Sequence, residues 1–405
     1  MWSMRQIRSS IQSGARQCLV LLPVFAVLTA PFLLTACRQQ SQIEHLSGPT
    51  MGSTYQISYV RAQDAPEAPV LHAQIQAMLQ QLDSAVSTYR DDSAVARFNA
   101  AAAGTCMEMP DEAVELAQHA QQLAADGEGA FDITLLPALD AWGFGPKAAL
   151  ADLPVDLSAA LSTMQRQTLA QPPSDAPPSK TTDTDTDTAD APKPNQAGHF
   201  AEPTPAELDA LRPRIGLQHL RIEGARLCKD APISIEFNSI AAGYAVDRIA
   251  DLLAGYGIHN YLVEVTGEIR GAGKKPDGSP WRVAIEAPLD HQRQAQKIVA
   301  LDGLSLSTSG DYRHYREVNG QRLSHVIDPR TLRPVTHHLA AVTVATPSAL
   351  DADGLSTLLM ALGPARGLDY AQRHNLAALF VSRTQNGFHS QATPAFEARF
   401  PSTGE

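Results

Sequence analysis

Apolar positions recur at helical spacing in three stretches of the chain. Leu71, Ile75, Met78, Leu79, Leu82 and Val86 fall on one face of a helix, which predicts an amphipathic helix over about residues 70–87. Residues 111–125 carry the same period, with Asp111 and Glu112 at the start, where negative charge suits the helix dipole. Ala241, Ala245, Ile249, Leu252 and Tyr256 predict a third helix, capped by Asn238 or Ser239 and ending near Gly255 and Gly257. Runs rich in β-branched and aromatic residues predict strands at 55–60, 217–222, 233–237, 261–265, 281–287 and 340–345. Most links between strands are not regular βα units. The expected class is therefore α+β, with mixed to antiparallel sheets and packed helices, rather than a dinucleotide-binding domain.

Two segments fall outside this pattern. Residues 1–17 carry Arg5, Arg8 and Arg16 and no acid, and an apolar run from Cys18 to Ala36 follows, interrupted by Pro23 and Pro31. That order is a signal-peptide arrangement. It ends at Leu34-Thr35-Ala36-Cys37, which resembles the bacterial lipobox, so residues 1–36 are expected to leave, Cys37 to be lipidated and 37–41 to act as a tether. A retained membrane anchor is the alternative, because the run approaches the ~20 residues that span a bilayer. The second segment, 171–205, is crowded with Pro, Thr, Asp and Ser and holds one aromatic residue, Phe200. It has too little apolar surface to offset its ordering entropy and reads as a disordered surface insertion in one large domain over 42–400.

Charge and cysteines narrow the chemistry. The formal charge of −11 becomes −14 once the three leader arginines are removed, which argues against a nucleic-acid partner. Beyond Cys18 and Cys37 the chain has Cys106 and Cys228, without CxxC or Cys/His ligand spacing, so a zinc or iron–sulfur site has no support. An export compartment permits a Cys106–Cys228 disulfide, and two buried free thiols fit equally well.

The remaining signals are glycine- and acid-bearing turns at element ends, where function tends to sit. In order they are Met51-Gly52-Ser53-Thr54-Tyr55, Leu82 to Arg90 with Tyr89 just past an apolar helix face, Gly129 to Thr134 followed by Trp142 to Pro146, Ser239 to Asp247, Thr308 to Tyr312, Ser324 to Thr331, and Asp351 to Thr357. Tyr89 is a core residue by default and a ring-stacking platform on the sharper reading. Asp353 and Thr357, four apart, share one helix face and offer hard oxygen ligands suited to Mg²⁺, unless Asp353 merely caps a helix start. A serine-hydrolase set of Ser309 or Ser324, His325 and Asp328 is available, but no GxSxG elbow exists.

Taken together and in this order, the motifs resemble the ApbE family of FAD:protein FMN transferases, over nearly all of the chain outside the leader and the insertion. The resemblance implies a T-fold-like α+β domain, FAD as substrate and Mg²⁺ as cofactor. It implies transfer of FMN to a Thr or Ser hydroxyl of an acceptor flavoprotein, with release of AMP. Carried over by motif, Met51, Tyr89, Ala130, Phe131, Asp132, Ala242 and Val326 line the flavin site, and Ala241, through its carbonyl, joins Asp353 and Thr357 around the metal. His325 is the first candidate for the base. Three positions depart from the family pattern: Ala242 stands where Lys or Glu is common, and Thr266 and Leu332 stand where glycine is usual.

The implied partners are subunits of membrane redox complexes or exported reductases. The implied location is the bacterial cell envelope, lipid-anchored and facing the periplasm. Two other functions use the same residues. With water in place of the acceptor, the site is an FAD pyrophosphatase yielding FMN and AMP; without chemistry, the chain is an exported FAD-binding lipoprotein.

Overall fold

The computed structural model describes residues 42–146, 200–290, 292–312, 314–318 and 320–401. The leader, Cys37 with its tether, and residues 171–199 of the expected insertion lie outside the described residues. The described residues all belong to one compact unit.

In chain order, β1 (Ile43–Thr50) and β2 (Ser53–Val60) form a hairpin turning at Met51-Gly52, both at positive φ, and α1 (Ala68–Val86) and α2 (Ala94–Ala100) follow. Next come β3 (Cys106–Glu108), α3 (Asp111–Asp126), α4 (Leu136–Ala141), α5 (Pro205–Leu211), β4 (Leu220–Glu223), β5 (Arg226–Lys229) and α6 (Ala241–Gly255). The second half holds β6 (Tyr261–Val265), β7 (Glu268–Ala272), β8 (Trp281–Glu286), β9 (Ala295–Leu301), β10 (Leu304–Gly310), β11 (Tyr315–Val318) and β12 (Gln321–Ser324). It ends with β13 (Ile327–Asp328), β14 (Arg333–Pro334), β15 (Leu339–Thr346), α7 (Ala349–Arg373), β16 (Ala377–Thr384), β17 (Gly387–Ala392) and α8 (Pro394–Arg399).

Eight strands make one antiparallel sheet in the order β1-β2-β6-β7-β10-β15-β16-β17. Alternation along its strands sorts side chains to two faces. Val342 and Val344 on β15 join the main core with α1, α3, α6 and α7, while Ala341 and Ala345 join Leu379, Val381, Phe396 and Phe400 on the other face. A third apolar cluster, with Trp142, Leu208, Leu323 and Leu332, ties α4 and α5 to β12 and β13.

The structure departs from the sequence expectations at four places. Residues 233–237 are extended but pair with no strand. The Asn99 amide supplies both bonds a neighbouring strand would give, accepting from Ile235 N and donating to Ile235 O, each at 2.8 Å. The run 217–222 opens with a 3₁₀ turn at Leu217–His219 before β4 begins. Thr308 and Ser309 lie in β10 rather than in a turn, because both pair with β15, opposite Thr343 and Val342. Residues 200–205, assigned to the insertion by composition, are ordered: Phe200 packs 6.5 Å from the Trp142 ring, and Thr204 forms a capping box with Glu207 at the start of α5.

Cys106 and Cys228 face each other across the β3–β5 pair and form a disulfide, which decides between the two readings of those thiols. Among the described residues, no helix is long and apolar enough to cross a membrane.

Candidate active site

Helices α6 and α7 cross at Gly243. A side-chain carbon there would lie 2.3 Å from the Ala349 carbonyl oxygen and 2.8 Å from the Asp353 Cβ, so glycine is what permits the approach. At this crossing the Gly243 amide donates to Asp353 Oδ2 at 2.9 Å. Asp353 does not cap its own helix: Ser348 does, accepting from the Asp351 amide. Nor does Asn238 or Ser239 cap α6, whose cap position is Ile240 without a side-chain bond. The carboxylate of Asp353 supplies that bond from another helix, because α6 begins where α7 passes over it.

Asp353 is only 5% exposed. Burial, and then the nearby Glu268 carboxylate, push its pKa well above the ordinary range, and the Gly243 bond opposes this. One amide is little compensation for a buried carboxylate facing a second one. Thr357 lies one turn further along the same helix face, its hydroxyl 3.2 Å from Ser309 Oγ at the end of β10. Ala241 opens α6 two residues before Gly243. Asp353 thus meets the start of α6 directly, while Ala241 lies two residues before the bonded Gly243 and Thr357 one turn beyond Asp353; the three residues expected to hold a metal offer a carboxylate, a hydroxyl and a carbonyl. That all-oxygen set, beside an undercompensated buried carboxylate, fits Mg²⁺. The one triad of His, Cys, Asp or Glu ligand atoms near one another among the described residues is Cys106, Glu223 and Cys228, whose sulfurs are joined in the disulfide.

The expected flavin residues gather only in part. Tyr89 is 49% exposed, so it is no core residue and its ring is available for stacking. Its phenol pKa is raised by burial on one side and by the charges of Glu236 and Asp140. Asp132 Oδ1 accepts from the Thr134 amide and hydroxyl at 2.7 and 2.6 Å, and burial raises its pKa. Ala130 and Phe131 are buried in the main core, so they present backbone rather than side chain. Val326 is buried in the same core, and the Ala242 side chain has no polar group to offer. Met51 sits at the β1–β2 turn, partly buried against the main core.

His325 lies beside the third motif, its ring 6.5 Å from the Phe144 ring. Its Nδ1 is 2.9 Å from the His314 carbonyl oxygen, which can only accept, so Nδ1 carries the proton and Nε2 presents the lone pair. Part of the ring surface stays open, yet burial among its neighbours, and then the His314 ring, lower its pKa to about 4. The imidazole is neutral at neutral pH. The alternative hydrolase set does not assemble: Asp328 takes both Arg330 donors at 2.8 Å, Ser324 accepts from the Val326 amide, and Ser309 bonds Ser356 and Thr357.

Sequence reasoning missed Glu236. It is 5% exposed, and burial raises its pKa to about 7, the Asn238 amide opposing and the Asp132 charge adding to the shift. It lies five residues before Ala241 and electrostatically near Tyr89 and Asp132. An acid in an otherwise apolar run, just ahead of a polar helix start, was the available signal. The departures Thr266 and Leu332 both adopt left-handed backbone, φ 54° and 58°, which explains why glycine suits those positions.

Comparison with known proteins bears on the family. The ApbE family profile matches residues 51–380. An FAD:protein FMN transferase of Vibrio cholerae is 35% identical over 91% of this chain and 96% of its own length. One of Salmonella typhimurium is 34% identical over 91% and 95%. Among solved structures, the apo flavinyl transferase ApbE of Pseudomonas stutzeri is 46% identical, with a TM-score of 0.73 over 90% of this chain and 98% of its own. The chain belongs to the ApbE family.

Proposed function

We propose that this protein is an FAD:protein FMN transferase that uses Mg²⁺ to move the FMN half of FAD onto a Thr or Ser hydroxyl of an acceptor flavoprotein. The observation that carries the reading is the buried, undercompensated Asp353 at the α6–α7 crossing, with Thr357 and Ala241 as oxygen donors around it. A bound Mg²⁺ supplies neutralisation of the pyrophosphate charge. In the reaction the acceptor oxygen bonds to the FMN-side phosphorus, the pyrophosphate P–O bond breaks, and AMP departs. His325 Nε2 is the lone pair available to take the hydroxyl proton; a base this weak needs a strongly polarised hydroxyl. Tyr89 and the backbone around Ala130 to Asp132 hold the ring system.

The export reading belongs to the same proposal: a lipid anchor on Cys37, a periplasm-facing location in the bacterial envelope, and acceptors among subunits of membrane redox complexes or exported reductases. The Cys106–Cys228 disulfide supports it, since such bonds persist in oxidising compartments.

The test is AMP release against Mg²⁺ concentration, with and without an acceptor flavoprotein, for wild type, Asp353→Asn and Thr357→Val. Asp353→Asn keeps an acceptor for the Gly243 amide but loses the charge, and is expected to lose activity nearly completely; Thr357→Val is expected to weaken it. AMP release that ignores the acceptor favours the pyrophosphatase, and FAD binding without any AMP favours a carrier. A fully active Asp353→Asn with unchanged Mg²⁺ dependence removes the metal assignment.

A further inference from the structure

The α6–α7 crossing is fastened a second time, one turn further along α6. Asp247 receives four donors. Its Oδ1 accepts from Arg270 Nη1 at 2.5 Å and the Ala349 amide at 3.0 Å. Its Oδ2 accepts from Ser348 Oγ at 2.8 Å and the Leu350 amide at 3.1 Å. Ala349 and Leu350 are the first two residues of α7, whose amides have no partner within their own helix. The two helices thus cap each other: Asp247 of α6 holds the start of α7, and Asp353 of α7 holds the start of α6.

Strand β7 lies against both bonds. Arg270 and Glu268 are two apart on β7 and so share one sheet face. Arg270 attracts Asp247, whereas Glu268 repels Asp353. The attraction at one end of the contact thus offsets the repulsion at the other. Releasing Asp247 leaves two helix amides unpaired and Arg270 without its carboxylate, and frees the first turn of α7 to move away from Glu268. That turn leads directly into Asp353 and Thr357.

From this geometry we infer that Asp247 is a positioning residue for the metal site: through the start of α7 it sets Asp353 and Thr357 against Ala241. The inference rests on the reading of the crossing as a metal site. The four bonds of Asp247 go to Arg270 and the start of α7, so the expected effect is on metal affinity beyond any effect on stability.

The test uses Mn²⁺, which shares the preference for oxygen ligands, titrated into the FAD-bound protein and read by electron paramagnetic resonance. Asp247→Asn is expected to weaken Mn²⁺ binding roughly tenfold or more, the range seen when groups that orient a metal ligand are altered. Phe396→Leu, in the cluster on the other face of the sheet, provides a destabilised control with the site intact. If Asp247→Asn folds poorly, Arg270→Gln leaves both helix caps in place and is expected to weaken Mn²⁺ in the same direction by a smaller factor. Mn²⁺ affinity in these variants equal to wild type, or lowered no more than in Phe396→Leu at matched thermal stability, makes Asp247 a purely structural cap and overturns the inference. Asp353→Asn distinguishes the two levels. If it loses Mn²⁺ while Asp247→Asn keeps it, the inference alone fails. If the wild type binds no Mn²⁺, the metal reading fails and takes the inference with it.

Discussion

Replacing Gly243 with alanine sets two known effects against each other. Inside an exposed helix, Gly→Ala stabilises by about 1 kcal/mol because the glycine backbone loses more freedom on folding. Here the added carbon lies 2.3 Å from Ala349 O, 2.7 Å from Ala349 C and 2.8 Å from Asp353 Cβ. Ordinary contact begins near ~3.5 Å, so α6 and α7 must separate by about 1 Å at this point. Two of the three atoms are backbone and the third is anchored to it, so no side-chain rotation relieves the clash. Overpacking of this kind costs about 1–3 kcal/mol, and the absence of an escape places it in the upper part of that range. The net expectation is a loss of about 1–2 kcal/mol, read as a melting temperature a few degrees lower.

The same displacement carries a functional signature. The Gly243–Asp353 bond, 2.9 Å in the native crossing, would stretch past hydrogen-bonding distance, and Ala241 would move away from Asp353. Half-saturation of AMP release by Mg²⁺ is expected at roughly tenfold higher concentration or more. Differential scanning calorimetry and a Mg²⁺ titration of the purified variant read both effects. A variant that melts at or above the wild-type temperature and keeps its Mg²⁺ response would refute the argument, because the helix-propensity gain would then have met no opposing contact.

Three further outcomes follow from single groups. Tyr89→Ala should weaken FAD binding by about 1–3 kcal/mol, the usual value of an aromatic stacking platform, with folding stability changed by less than ~0.5 kcal/mol; flavin fluorescence titration and thermal melting check the two halves. Glu236 has a folded-state pKa of about 7 against an ordinary 4.5, so the folded protein holds a proton that the unfolded chain releases in that window, and stability falls as pH rises through it and levels off above. Glu236→Gln should remove this slope and gain on the order of 3 kcal/mol at pH 8; parallel urea-unfolding trends for both proteins at pH 5 and pH 8 would speak against it. The Cys106–Cys228 bond closes a sequence separation of 122 residues, and the Cys106→Ser/Cys228→Ser double variant should lose about 4–5 kcal/mol in the chain-entropy account. An unfolding midpoint shared by oxidised wild type and the double variant would remove the bond from the stability of the fold.

The parts of the fold written in local pattern were legible. The periodicity of 70–87, 111–125 and 241–256 gives α1, α3 and α6 within two residues, because each helix buries one face against the same core. Strands 55–60, 261–265, 281–287 and 340–345 appear nearly as expected for the same reason. The run 233–237 has the composition of a strand, yet Ile235 bonds the Asn99 side chain, 136 positions away, and the Glu236 amide donates to Ile133 O. Composition reports that such a run will be buried and extended; it does not report which group satisfies its amides. Phe200 was likewise hidden by its neighbours, since proline, threonine and aspartate set the character of the window while one aromatic ring packs against Trp142.

The site shows the same division more sharply. Asp353 and Thr357 were legible as a pair because a four-residue spacing fixes a helix face in advance of any tertiary contact. Whether Asp353 was a ligand or a cap was not legible, because a cap is assigned by position in its own helix and Asp353 bonds the start of a different one, 110 residues earlier. Asp247 closes the Ser239-to-Asp247 motif, but its role was not legible for the mirror-image reason: its four donors come from β7 and from the start of α7. Each acid looks bland in its own helix, and each gains its role from the crossing that Gly243 permits. A glycine one residue before a tyrosine in the first turn of a predicted helix, where its propensity is poor, is the local conflict that marks such a crossing: the chain gives up helix stability at Gly243 because only glycine lets the start of α6 approach Ala349 and Asp353 this closely.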